Sequence, residues 1–194
     1  AKNWEMSFKE TNSMDAVKDV AEGESRIGII RYQKYYESFF LDFLKDKKLQ
    51  HEELWNFKSL ALMSKNNPLA SSDSLSCDEL DQCIEIRQGD VSVPYLTAAD
   101  AGKSQRNKKR LIYVYEQGSQ LDLLNSIPHS YVWVSPLPAQ MLEWYGLVQK
   151  DCPSSNHSYK DVLIYPKGYQ LSKIDRIFVN EVKQVKNSIL SAFQ

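Results

Sequence analysis

The chain has 194 residues, 42% of them hydrophobic and 25% charged, and a net charge of -1. Such a composition excludes disorder and is long enough to bury a core, as one domain or two small ones. It offers no basic stripe for neutralising phosphates and no apolar run of membrane-spanning length, so this chain is not expected to bind nucleic acid or cross a membrane. The opening residues do not read as a secretory signal. Cys77, Cys83 and Cys152 are odd in number and lack metal-like spacing. A cytoplasmic protein with reduced thiols, no metal and no cofactor is the expectation.

In chain order, Trp4, Met6 and Phe8 alternate with polar residues, the period of a half-exposed strand. Asn12 offers an N-cap with Asp15 at the third helical position, and Gly23 supplies a stop. Arg26-Ile27-Gly28-Ile29-Ile30 reads as a buried strand ending in Arg31. Tyr36, Phe39-Phe40 and Phe43-Leu44 then recur at helical spacing, which argues for core rather than a stacking platform. Residues 45–53 read as a charged connection. They lead into Leu60-Ala61-Leu62-Met63-Ser64-Lys65-Asn66-Asn67-Pro68, an apolar strand stopped by proline.

Beyond it, Ser76 and Glu79 form a capping box, with Leu75 and Leu80 as its hydrophobic staple. Strands are expected at 83–86, 111–115 and 131–134. Helices are expected around 93–101, from Ser119, and over 139–145, with a basic polar loop at 103–109. A second extended stretch, Asp161-Val162-Leu163-Ile164-Tyr165-Pro166, returns the chain. Ser172 then caps a long helix with an acid at Asp175, and Ile174, Ile177, Phe178, Val182, Val185 and Ile189 supply its apolar face. Strands alternating with helices predict an α/β fold with mostly parallel strands.

Four stretches carry a resemblance: residues 8–13 with Ile27-Gly28-Ile29-Ile30 downstream, the crossing from Leu60 to Ala70 with its Asn-Pro-Leu-Ala end, the Leu75-to-Leu80 helix start, and the return from Leu163 to Phe178. In that order they resemble the effector-binding domain of LysR-type transcriptional regulators, over essentially the whole chain. Asn67 stands where that family usually has histidine, and residues 127–134 replace its glycine-rich strand. The resemblance implies two Rossmann-like subdomains joined by two crossover strands, as in type 2 periplasmic binding proteins. They would comprise residues 1–62 with 165–194, and residues 63–164. The family's opening strand and helix have no counterpart ahead of Trp4, so the first subdomain is expected to be trimmed at its N-terminus.

The resemblance also implies a small-molecule effector in the cleft between subdomains, as the general rule for open α/β sheets does. Asn12 and Ser13 match the ligand-contacting helix start, beside their plain role in capping. Arg31 sits where some members hold a ligand-binding arginine; otherwise it is a salt-bridged or solvated side chain. Gln88, Gly89 and Asp90 would face the cleft or form a tight turn, and Ser135 and Pro136 end a strand near it. A small carboxylate is the expected ligand, favoured by helix N-termini near Asn12 and Ser119, with Asp90 and Glu116 opposing it. DNA would be reached only through an N-terminal winged helix-turn-helix outside this sequence, in a homo-oligomer. A solute-binding protein of a transport system is the alternative on the same fold. No catalytic residue is expected: His51, His129 and His157 stand alone, and no nucleophile elbow or zinc-protease motif occurs.

Overall fold

The computed structural model describes residues 5–89, 110–115 and 118–192. The Asn12 side chain accepts from the Asp15 amide at 2.9 Å and so closes the first turn of α1 (Ser13–Ala21). Val17 and Val20 bury the inner face of that helix, and Gly23, at φ +82°, turns the chain towards β1 (Gly28–Gln33). Next come α2 (Glu37–Asp46) and β2 (Leu49–Lys58), then β3 (Leu60–Ser64) after the single residue Ser59. The Asn67 side chain caps a short 3-10 turn at Pro68–Ser71 and donates to the Ser130 carbonyl at 3.1 Å.

The capping box forms as its spacing dictates: Ser76 Oγ accepts from the Glu79 amide, and the Glu79 carboxylate accepts from Ser76 N. It opens α3 (Cys77–Asp81), and the staple residues Leu75 and Leu80 are both buried. There follow β4 (Ile84–Gln88), β5 (Leu111–Val114), α4 (Gly118–Ser126), β6 (Ser130–Val134), α5 (Ala139–Trp144) and β7 (Leu147–Lys150). The chain ends with β8 (Ser158–Pro166) and α6 (Lys173–Ala192). The helix expected at 93–101 and the loop at 103–109 lie outside the described residues.

The strands form two sheets, ordered β1-β8-β2 and β5-β4-β6-β3-β7. In the first, β8 runs antiparallel to both neighbours; in the second, β4 is parallel to β5 and β6, whereas β3 is antiparallel to β6 and β7. The expectation of mostly parallel strands therefore fails, since among the described strands only β4–β5 and β4–β6 are parallel. Parallel neighbours need a crossover of a dozen residues or more, whereas β3 and β8 each enter directly from the other sheet. Boundaries at 62/63 and 164/165 would fall inside β3 and β8. The chain changes sheet at Ser59 and across 151–157.

Helices cover the first sheet on both faces. Val162 and Ile164 pack with Val17, Val20, Phe40 and Leu44 on one side; Leu163 packs with Leu54 and Val179 of α6 on the other. Tyr32 stacks on Phe40 with centroids 4.6 Å apart, so the aromatic run is core as expected. In the second sheet, Ala61, Met63 and Tyr131 pack with Leu75 and Leu80, and Leu62, Ile86 and Val132 with Leu124 and Leu147.

Three local expectations fail for identifiable reasons. Residues 5–12 have no regular structure, and Met6 and Phe8 are exposed; Trp4 lies outside the described residues. An alternating pattern makes a strand only where a neighbour completes its hydrogen bonds and a core covers one face. Conversely, the charged stretch 45–53 contains the start of β2. An edge strand pairs through its backbone, so polar side chains do not prevent it, and here Lys183 bonds Glu52 while Lys186 Nζ donates to the Leu54 carbonyl at 3.1 Å. On α6 the anchor is Val179, with Ile189, whereas Ile174, Ile177 and Val185 are exposed.

The α6 start yields a pH prediction. Asp175 is buried and accepts from Ser172 N at 2.8 Å and Tyr169 Oη at 2.7 Å. Burial opposes its ionisation, but the hydrogen bonds from Ser172 and Tyr169 and the nearby Arg26 outweigh it, and its pKa is lowered. A lowered carboxylate contributes stability that is present above its unfolded pKa and lost as pH falls through the folded value. Asp175→Asn is expected to cost about 1–2 kcal/mol at neutral pH. It should also flatten the acid limb of stability below about pH 4. Urea titrations at pH 7 and pH 3 measure both; equal losses at the two pH values would refute the linkage.

Candidate functional site

Register decides which side chains share the seam between the sheets. Arg31 pairs with Asp161 and Gln33 with Tyr159 across β1 and β8, and Phe57 of β2 pairs with Tyr159 from the other side. These five lie on the same face as Leu163, beyond the stretch that α6 covers. From the second sheet come Glu85 and Arg87 of β4, Tyr131 and Trp133 of β6, and Ser135 just past the end of β6.

Arg31 holds the first group together. Its Nε and Nη2 donate to the two Asp161 carboxylate oxygens at 2.7 and 2.8 Å, a bidentate pair. Its guanidinium lies 4.8 Å from the centre of the Phe57 ring. Nη2 also reaches Ser135 Oγ at 3.4 Å, so the side chain bridges the two sheets. Nη1 has no hydrogen-bond partner among the described residues, and the Arg31 side chain is 45% exposed against 13% for Asp161. The Ser13 hydroxyl donates to the Arg31 carbonyl at 2.7 Å and accepts from its amide at 3.1 Å, fixing the start of α1 to the end of β1.

A second pair faces the seam from β4. Arg87 Nε and Nη2 donate to the Glu85 carboxylate at 2.7 and 3.1 Å, and Tyr131 Oη donates to Glu85 Oε2 at 3.2 Å. Tyr159 feels both units. Burial pushes its phenol above the ordinary range and the Glu85 carboxylate adds to that, while the hydrogen bond from Gln33 (3.0 Å), Arg31 and Arg87 pull it down. Trp133 stacks on His157 at 4.5 Å, adding an aromatic wall and giving His157 a partner that its sequence context did not suggest.

Ser13, Arg31 and Ser135 thus come together, while the side chain of Asn12, next to Ser13, is bonded to Asp15. Pro136, next to Ser135, belongs to a segment that Gln149 clamps, accepting from Leu137 N and donating to the Ser135 carbonyl, both at 2.9 Å. Gln88 and Gly89 do not join Arg31. Gln88 is the last residue of β4 and accepts from Gln120 Nε2 at 3.1 Å; the Gly89 amide donates to the Val114 carbonyl at 2.7 Å. A Cβ at Gly89 would lie 2.7 Å from the Tyr115 ring, so this position holds the backbone close beneath an exposed tyrosine. Asp90 and Glu116 lie outside the described residues. Sequence reading missed Asp161, Tyr159, Glu85, Arg87 and Gln149. The one available signal was the polar residues Tyr159 and Asp161, two apart at the start of an otherwise apolar crossing.

Chemically, the seam offers guanidinium donors, hydroxyls and aromatic faces suited to a small polar molecule. Among the described residues no cluster of three His, Cys, Asp or Glu side chains could hold a metal, and no helix is long and apolar enough to cross a membrane.

Two mixed α/β units joined by two extended passages constitute the type 2 periplasmic-binding-protein-like fold. Within it, the chain has the fold of the effector-binding domains of LysR-family transcriptional regulators. It is similar to the effector-binding domain of QuiR in complex with shikimate, at 15% identity and a TM-score of 0.63, over 92% of this chain and 79% of that one. It is similar to the Synechocystis PCC6803 CcmR regulatory domain in complex with 2-PG, at 15% identity and a TM-score of 0.61, over 93% and 83%. HinK, a LysR family regulator from Pseudomonas aeruginosa, matches at 15% identity and a TM-score of 0.62, over 91% of this chain but 59% of its own. No protein-family model and no curated protein matches the sequence.

Proposed function

We propose that this chain is the effector-sensing domain of a LysR-type transcriptional regulator, and that it binds a small anionic metabolite at the seam between its two sheets. The observation that carries the reading is Arg31. It is anchored to Asp161 within the first sheet, touches Ser135 of the second, and keeps Nη1 for a ligand. A carboxylate accepting from Arg31 Nη1 and from the Ser135 hydroxyl would contact both units at once. Ser135 Oγ is the nearest donor from the second unit, with Phe57 and Tyr159 as apolar floor.

The two sheets stand for two regulatory subdomains close to those expected at 1–62 with 165–194 and at 63–164, with their joints at Ser59 and across 151–157. A ligand gripping both biases their relative placement. In a homo-oligomer carrying winged helix-turn-helix modules, that bias reaches DNA as a coupling between distinct sites. Asp161 pairs with Arg31 and Glu85 with Arg87, so the seam carries both signs of charge and an amino-acid-like zwitterion would also fit its chemistry.

The test is a thermal-shift titration of the 194-residue chain with shikimate, 2-PG and other small carboxylates, repeated on Arg31→Ala. A binding carboxylate should raise the unfolding midpoint, and Arg31→Ala should weaken it about 10- to 100-fold, the value of one charge-assisted hydrogen bond. An anion that stabilises both proteins equally makes Arg31 purely structural and refutes the site.

A further inference from the structure

Cys77 is the first residue of α3 and partly exposed; Cys152 begins the passage from β7 back to β8 and is fully buried. They are 75 residues apart in sequence, yet their Sγ atoms lie 3.7 Å apart. Ser154 Oγ sits 3.2 Å from the first sulfur and 3.7 Å from the second. The backbone on each side is fixed. Leu75 N donates to the Asp151 carbonyl at 2.9 Å, and the Ser76 capping box locks the turn that carries Cys77.

We infer that Cys77 and Cys152 form a reversible dithiol–disulfide couple, oxidised by hydrogen peroxide. The sulfurs are already in van der Waals contact, held between two anchored turns, and a bond requires them to close to about 2.05 Å. Cys77, the one that solvent reaches, attacks as thiolate. The peroxide O–O bond breaks, hydroxide leaves, and Cys77 becomes a sulfenic acid. Cys152 thiolate then attacks the Cys77 sulfur; the S–S bond forms, the S–O bond breaks and a second hydroxide leaves. The two thiol protons convert both hydroxides to water, and the two electrons lost by the sulfurs reduce one peroxide. Burial, which holds the Cys152 thiol above its ordinary range, suits it to the second, resolving role.

The bond would staple α3 to the start of 151–157, one of the two connections between the sheets. Lys58 already holds that passage from the first sheet, donating to the Pro153 carbonyl at 3.1 Å and pairing with Asp151 at 3.5 Å. Oxidation therefore stiffens a joint between the two units, independently of any ligand in the seam.

The experiment treats the reduced 194-residue protein with hydrogen peroxide and digests it without reduction for mass spectrometry. Trypsin leaves Cys77 and Cys83 on one peptide, so Cys83→Ala is run in parallel to fix the assignment. Expected is a cross-link between the peptides of Cys77 and Cys152, lighter by two hydrogens, reversed by dithiothreitol and retained in Cys83→Ala. Cys77→Ser, a change at a partly exposed position, should abolish it while the circular dichroism spectrum stays unchanged. Cys77 found as sulfinic acid without a cross-link, a cross-link lost in Cys83→Ala, or no reaction would each overturn the couple.

Discussion

Leu163→Ala is expected to lower the unfolding free energy by about 2–5 kcal/mol, the range for emptying a fully buried leucine site. Leu163 has no exposed surface and sits at the centre of β8, between Ile29 of β1 and Glu52 of β2, with Leu54 and Val179 packed over it. Sheet and helix are both anchored elsewhere, so the cavity cannot collapse fully. The effect should reach the seam, because Tyr159 and Asp161 lie on the same strand and face. Urea unfolding gives the stability, and the intrinsic tyrosine and tryptophan signal of the folded variant reports the seam. A loss below about 1 kcal/mol would mean that β8 is not the central strand of a packed core.

Arg87→Met is expected to cost about 3 kcal/mol, because it strips a cation from a buried carboxylate. The Glu85 side chain is 4% exposed, and Arg87 contacts both of its oxygens; the Tyr131 hydroxyl would remain on Oε2. Methionine keeps the aliphatic bulk of the arginine, so packing changes little and the loss is electrostatic. Replacing the carboxylate as well tests this. Glu85→Gln with Arg87→Met also removes the buried carboxylate and should be more stable than Arg87→Met alone. Guanidinium denaturation midpoints of the three proteins decide it. If single and double variants unfold together, the pair is a solvated contact, and its place in the seam's charge balance is lost with it.

Exposure explains why these two outrank other positions. Surface ion pairs such as Lys9 with Asp19 hold two mobile side chains in water and contribute little. The Arg87–Glu85 pair is different, with side chains 21% and 4% exposed, because the second sheet excludes water from its carboxylate.

What the sequence by itself determined is what lies within one helical turn or one strand. The caps at Asn12 with Asp15, Ser76 with Glu79 and Ser172 with Asp175 each join groups three residues apart, and each forms as its spacing implies. The two crossings were legible for a similar reason, since an uninterrupted apolar run bounded by proline has few other places to go. Tertiary structure decided the rest. The polar start of β2 became a strand only because β8 offered it a backbone partner, and residues 5–12 remained irregular for want of one. Strand direction followed from which sheet each crossing came from, which no local pattern encodes. The seam depended most on distance along the chain. Arg31 and Asp161 are 130 residues apart, and Arg31 and Ser135 are 104. Cys77 and Cys152 were two unrelated thiols until folding placed their sulfurs in contact. Such pairings are set by register, where a slip of one residue turns every side chain to the opposite face, and register is a property of the packed sheets rather than of any single strand.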